Sequence, residues 1–155
     1  MYVYRISKAK YINDISGQGA KIYGGRWNRP GVSVLYTAQA RSLAMLELLV
    51  HLNAYQALRH DFKFVKINID ESKIHMIDQA LTGLNIHGAN NEKLWGITDF
   101  YFSDSNILGI KVPSAIIENE FNYLLNPASN HYSEIVVESF ENANIDGRFY
   151  DPKKA

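Results

Sequence analysis

The chain has 155 residues, 46% of them hydrophobic and 21% charged, which suits one soluble globular domain with a buried core. Sixteen basic residues balance sixteen acidic ones, which argues against a domain that works by phosphate-backbone attraction to nucleic acid. The absence of cysteine excludes disulfides, thiol nucleophiles and thiolate metal sites. Met1–Arg5 has no basic region followed by an apolar run, and no apolar stretch reaches membrane-spanning length. The expectation is a cytoplasmic protein without direct membrane or nucleic-acid contacts.

In chain order, Tyr2–Ile6 alternates weakly and predicts a first strand. Asp14–Gly19 is polar with two glycines and predicts a loop. Gly24-Gly25 predicts a turn with unusual backbone freedom, and Arg29-Pro30-Gly31 a second one. Val32–Tyr36 is short and β-rich, a predicted buried strand. Arg41–Tyr55 carries the clearest helical pattern. Its leucines spread around most of the circumference, so the helix is expected to be largely buried.

Phe62–Ile69 predicts another strand, and Ile74–Gly109, weakly patterned around Trp95 and Phe100-Tyr101-Phe102, a helix plus loops. Leu108–Val112 predicts a strand ended by Pro113 and resumed over Ala115–Ile117. Asn126-Pro127 begins a turn, Ile135–Phe140 predicts a late strand, and the tail after Tyr150 is expected to fray. The mixture predicts a single α+β domain with a central, mostly antiparallel sheet.

Two residues are costly unless something uses them. Arg26 follows a double glycine, where the backbone can approach a ligand closely and a guanidinium fork suits phosphate. Glu47 is a lone acid in Leu43-Ala44-Met45-Leu46-Glu47-Leu48-Leu49-Val50, one turn from His51. Periodicity leaves open whether that polar edge faces solvent or a partner. Tyr36, ending a strand, offers a ring for stacking and a hydroxyl for a polar atom. Ser114 lacks a surrounding Gly-x-Ser-x-Gly, so a hydrogen-bonding role is expected in place of a nucleophilic one. His51, His60, His75, His87 and His131 form no His-Glu-x-x-His pattern, so no catalytic metal is expected. Gly17-x-Gly19 lacks the remainder of a dinucleotide fingerprint, and there is no Walker sequence.

These residues resemble the RES domain family, named for its arginine, glutamate and serine. The resemblance runs through Tyr4-Arg5-Ile6, Ser16-Gly17-Gln18-Gly19-Ala20, Tyr23-Gly24-Gly25-Arg26-Trp27-Asn28 and Gly31. It continues in Leu35-Tyr36-Thr37, Ser42–Glu47, His51, Val112-Pro113-Ser114-Ala115 and Asn126-Pro127. It covers nearly the whole chain, residues 1–155 being read as one RES domain, and departs from the family around Ala128–His131, where the usual histidine lies closer to Asn-Pro.

The resemblance implies an ADP-ribosyltransferase-like fold and the toxin of a type II toxin–antitoxin pair, with an Xre-type helix-turn-helix antitoxin as partner. It further implies that the protein consumes NAD as a substrate, with no resident cofactor. The catalytic set carried over is Arg26, Tyr36, Glu47 and Ser114, with Arg5 and Asn28 as substrate-binding members of the pocket wall. Cleavage of the nicotinamide–ribose bond, with water or phosphate as acceptor, is the expected reaction. Protein mono-ADP-ribosylation and a catalytically silent binding module are the alternatives.

Overall fold

A computed structural model describes residues 1–52, 61–77, 86 and 91–150. Its centre is a seven-stranded sheet in the order β4-β5-β6-β2-β1-β3-β7. The strands are β1 (Tyr2–Lys8), β2 (Leu35–Ala38), β3 (Phe62–Asn68), β4 (Ile74–Met76), β5 (Gly109–Pro113), β6 (Phe121–Leu125) and β7 (Val136–Ala143). Five neighbouring pairs are antiparallel, and only β4 and β5 run parallel. The described residues also form three α-helices: α1 (Gln18–Tyr23), α2 (Arg41–Leu49) and α3 (Asn91–Phe102). The α+β class with a mostly antiparallel sheet is therefore as the sequence predicts.

Side chains that alternate along the strands divide the core by faces. Val3, Leu35, Val65, Ile67, Tyr123 and Leu125 pack together on one side of the sheet. Successive residues on the same strands serve the other side. There Leu124, Ile110 and Val112 meet Trp27 and Leu94, while Ala38, Phe62 and Phe64 meet Leu43 and Ala44 of α2. The second side is thus split into two clusters, one under α3 and one under α2.

The split coincides with a weak seam in the sheet. β1 and β3 pair over seven positions, but β1 meets β2 at one, Tyr4 opposite Ala38. Ala38 in turn faces Asn122 of β6, which faces Val112 of β5. A single row, Tyr4–Ala38–Asn122–Val112, therefore crosses the middle of the sheet with a small residue beside a polar one. That row underlies the site described below.

Several elements differ from expectation. The predicted loop over Asp14–Gly19 gives way to α1 from Gln18, entered through Gly17 at φ 72°. The second strand lies at Leu35–Ala38, later than Val32–Tyr36. Helix α2 ends at Leu49, Tyr55 lies outside the described residues, and only Leu43 and Ala44 of the helix are buried. Ala115–Ile117 does not resume a strand, because Ser114 Oγ accepts the Ile116 and Ile117 N–H groups at 3.0 and 3.3 Å and bends the backbone. Strands β4 and β6 were not anticipated, and β7 extends three residues beyond Phe140. The tail after Tyr150 lies outside the described residues. No described helix is long and apolar enough to cross a membrane.

Candidate functional site

A cavity of about 940 Å³ opens above the sheet seam. This lies within the range of small-molecule sites. Tyr4 and Ile6 of β1, Tyr36 and Ala38 of β2, and Asn122 of β6 line its floor. Ala44, Glu47, Leu48 and His51 line one wall. Their spacing of three, four and seven residues places them on a single stripe of α2 and its last turn. The opposite wall is Gly24-Gly25-Arg26 with Tyr23, and Tyr23 stands 84% exposed at the rim. Glu47 therefore faces this cavity, which resolves the question that its periodicity left open.

The glycine turn is built to stay where it is. Gly24 ends α1 with φ 70°, a conformation that disfavours any side chain. A Cβ on Gly25 would lie 2.7 Å from the Tyr36 hydroxyl, so only glycine lets the turn pass over that ring. The Tyr36 hydroxyl accepts the Trp27 N–H at 3.1 Å and donates to Asn28 Oδ1 at 2.7 Å. Asn28 Nδ2 donates to the carbonyls of Ala20, Val32 and Arg29 at 2.9, 2.9 and 3.2 Å. From the outer side α3 grips the same turn: Trp95 Nε1 donates to the Gly25 carbonyl at 2.9 Å, and Asp99, one helical turn on, pairs with Arg29 at 3.2 Å. Buried Trp27 anchors the segment, leaving Arg26 exposed at the cavity. Among the described residues, the hydrogen bond from Arg26 is Nη1 to the Ile86 carbonyl at 2.6 Å.

Burial pushes the Tyr36 phenol up to about 12, against smaller opposing effects from its hydrogen bonds and from Arg26. The folded state thus favours the neutral phenol. That contribution is fully present below pH 10 and is lost as pH rises through about 12. Tyr36→Phe is expected to cost about 2 kcal/mol and roughly 4–8 °C in Tm at pH 7 by orphaning the Trp27 N–H and Asn28 Oδ1. Melts of both proteins across pH 8–12 should show the gap narrowing above roughly pH 10. Equal melting temperatures at pH 7 would remove the hydroxyl from the loop's support.

Glu47 is held from two directions. Its Oε1 accepts from Ser114 Oγ at 3.1 Å and from Asn122 Nδ2 at 2.5 Å. Ser114 follows directly on β5, and its own N–H donates to the Glu120 carbonyl at 2.8 Å. Both protein hydrogen bonds among the described residues go to one carboxylate oxygen. The other carboxylate oxygen, Oε2, accepts no hydrogen bond from the described residues.

The predicted site residues thus separate by position. Arg26, Tyr36 and Glu47 line the cavity together. Ser114, 3% exposed, is not on its surface and reaches it only through Glu47. Asn28 corrects an expectation: it is 1% exposed and its amide is consumed in supporting the turn, so it stands behind the wall and does not form part of it. Arg5 contributes to the lining, but its guanidinium donates to the Asp14 carbonyl at 2.6 Å and stabilises that loop. His131 pairs with Glu134 at 2.9 Å, away from the cavity lining, whereas His51 lies on it. Asn122 is the site residue that the sequence did not reveal. Its available signal was an amide on the cavity-facing side of Phe121-Asn122-Tyr123-Leu124-Leu125, a strand otherwise apolar. Among the described residues, no group of three or more His, Cys, Asp or Glu is placed to hold a metal ion.

The RES domain family model matches residues 2–146. The chain belongs to the RES domain family. This RES domain is 35% identical over 158 residues to "Toxin Res" of Photorhabdus laumondii, covering 99% of this chain and 100% of that protein. It is 37% identical to "Toxin Res" of Yersinia enterocolitica over 130 residues, 82% of this chain and 84% of the relative. It is 36% identical over 120 residues to the "Prs ADP-ribosylating toxin" of a Sphingobium species, 75% of this chain and 74% of the relative. In fold the RES domain is similar to a chain in the crystal structure of the M. tuberculosis MbcT–MbcA toxin–antitoxin complex. The TM-score is 0.71 at 18% identity, covering 99% of this chain and 88% of that one.

Proposed function

We propose that this RES domain is the toxin of a bacterial toxin–antitoxin pair and that it cleaves NAD between nicotinamide and ribose. The observation that carries the reading is a doubly anchored carboxylate, Glu47, and an exposed guanidinium, Arg26, lining one cavity. The names of the relatives favour a toxin, and cytoplasmic action on NAD fits that role.

NAD presents the complementary charges. Its pyrophosphate is anionic and suits the Arg26 fork. Its nicotinamide departs neutral, so no general acid is needed, and the positive charge that remains develops on the ribose as an oxocarbenium ion. Glu47, facing that carbon's ribose, stabilises the developing charge and accepts a ribose hydroxyl. The Tyr36 ring packs beside the nicotinamide. Ser114 acts through Glu47. An acceptor then attacks the anomeric carbon: water gives ADP-ribose and a proton, whereas inorganic phosphate gives the ADP-ribosyl phosphate. The partner is an Xre-type antitoxin that covers the cavity or blocks its access.

A second reading, transfer of ADP-ribose to a protein side chain, is favoured by the Sphingobium relative's name. Incubation with NAD labelled in its adenylate half and a bacterial lysate separates the two. Label in small molecules supports NAD degradation, with the phosphate dependence naming the acceptor. Label retained on protein replaces it with transfer.

A further inference from the structure

We propose that Asn122 is a positioning residue for the reaction, fixing Glu47 so that its Oε2 faces the ribose; this rests on the NAD-cleaving reading. An ionised carboxylate only accepts hydrogen bonds, so the Asn122 amide must present its Nδ2 to it. The 2.5 Å contact is shorter than the 3.1 Å one from Ser114, and the two donors converge on the same oxygen. One donor alone would leave the carboxylate free to swing about it. Two donors, one on β6 and one just past the end of β5, fix the plane and choose which oxygen is left over.

The backbone supplies those two directions independently. Asn122 stands in the middle of the sheet, paired with Ala38 on one side and Val112 on the other. Ser114 lies two residues beyond Val112, past the end of the strand. Ala38 keeps the space beside Asn122 open, so the amide borders the cavity beneath α2. A polar side chain on the inward face of a central strand is unfavourable unless partnered, and its partner here is the reacting carboxylate.

The test compares the wild type with Asn122→Asp and Asn122→Ala for NAD turnover across pH. Asn122→Asp keeps the side chain's shape, removes the donor and places a second carboxylate against Glu47. At pH 7.5 both variants should lose kcat by roughly 10–100-fold with KM within about twofold, because only the transition-state geometry is disturbed. Asn122→Asp should regain activity as pH falls and its carboxyl takes up a proton to donate, whereas Asn122→Ala should not. Wild-type kcat in either folded variant, or parallel pH profiles for the two, would overturn the positioning role.

A second measurement stands apart from turnover. In proton–nitrogen correlation spectra the Asn122 side-chain amide should move between the wild type and Glu47→Gln, which replaces its charged acceptor by a neutral one. If the wild type leaves NAD intact while the amide responds in this way, the NAD reading fails and the Asn122–Glu47 coupling stands. An amide that ignores Glu47 overturns the coupling itself.

Discussion

Glu47→Gln is expected to leave folding intact and to lower kcat for NAD cleavage by about 10²–10³-fold. The substitution preserves volume, and the amide oxygen of glutamine can still accept from Ser114 and Asn122. What disappears is the negative charge opposite the ribose as positive charge develops there. Opposite unit charges 4 Å apart at an effective dielectric of 20 interact by about 4 kcal/mol, an upper bound near a 10³-fold rate effect. In the ground state the positive charge sits on the nicotinamide ring and moves onto the ribose only as the bond breaks, so KM should change less than kcat. Initial rates alongside a thermal melt check the prediction. A folded Glu47→Gln protein with near wild-type turnover would remove Glu47 from the chemistry.

Arg26→Ala should act mainly on binding, lowering kcat/KM for NAD by about 10–100-fold through KM. That range corresponds to the roughly 1.5–3 kcal/mol of a hydrogen bond to a charged group. Arg26 is exposed, and the turn that carries it is supported by Trp27, Asn28, Tyr36, Trp95 and Asp99. Removing its side chain therefore costs little folding energy. The Ile86 carbonyl holds Nη1 at 2.6 Å and so orients the guanidinium. Lysine restores the charge without the planar fork, and Arg26→Lys should recover only part of the loss. An unchanged KM in Arg26→Ala would count against a phosphate role.

The parts of this site that were legible in the sequence are those whose meaning is local. Gly24-Gly25-Arg26 announces a turn presenting a cation, and Glu47 with His51 announces one stripe of a helix. The division of labour within the set was not legible. Asn28 shares its run with Arg26, and Ser114 stands in a separate run from Glu47, yet their partners are carbonyls of α1 and the following loop in one case and Glu47 in the other. Only three-dimensional neighbours reveal that.

Asn122 was hidden more deeply, since it lies 75 positions from Glu47 and meets it through the register of β6 against β2 and β5. Its strand shows no apolar alternation, because Tyr123, Leu124 and Leu125 are all buried, on both faces of the sheet. The edge strand β4 has three residues, too few for a period to show. Helix α1, Gln18-Gly19-Ala20-Lys21-Ile22-Tyr23, has poor intrinsic propensity. Tertiary contacts support it, with the Ala20 carbonyl accepting from Asn28 Nδ2 and the Lys21 carbonyl from the Gly31 N–H.

If the cavity between Arg26 and Glu47 takes NAD and releases nicotinamide, the products must show it. The most direct test is the mass-resolved product profile of NAD incubated with purified, partner-free protein, wild type beside Glu47→Gln, with and without phosphate. Wild type should give nicotinamide together with ADP-ribose or its phosphate, and Glu47→Gln should leave NAD intact over the same interval. NAD left intact by folded wild-type protein in every buffer would contradict NAD cleavage in this cavity.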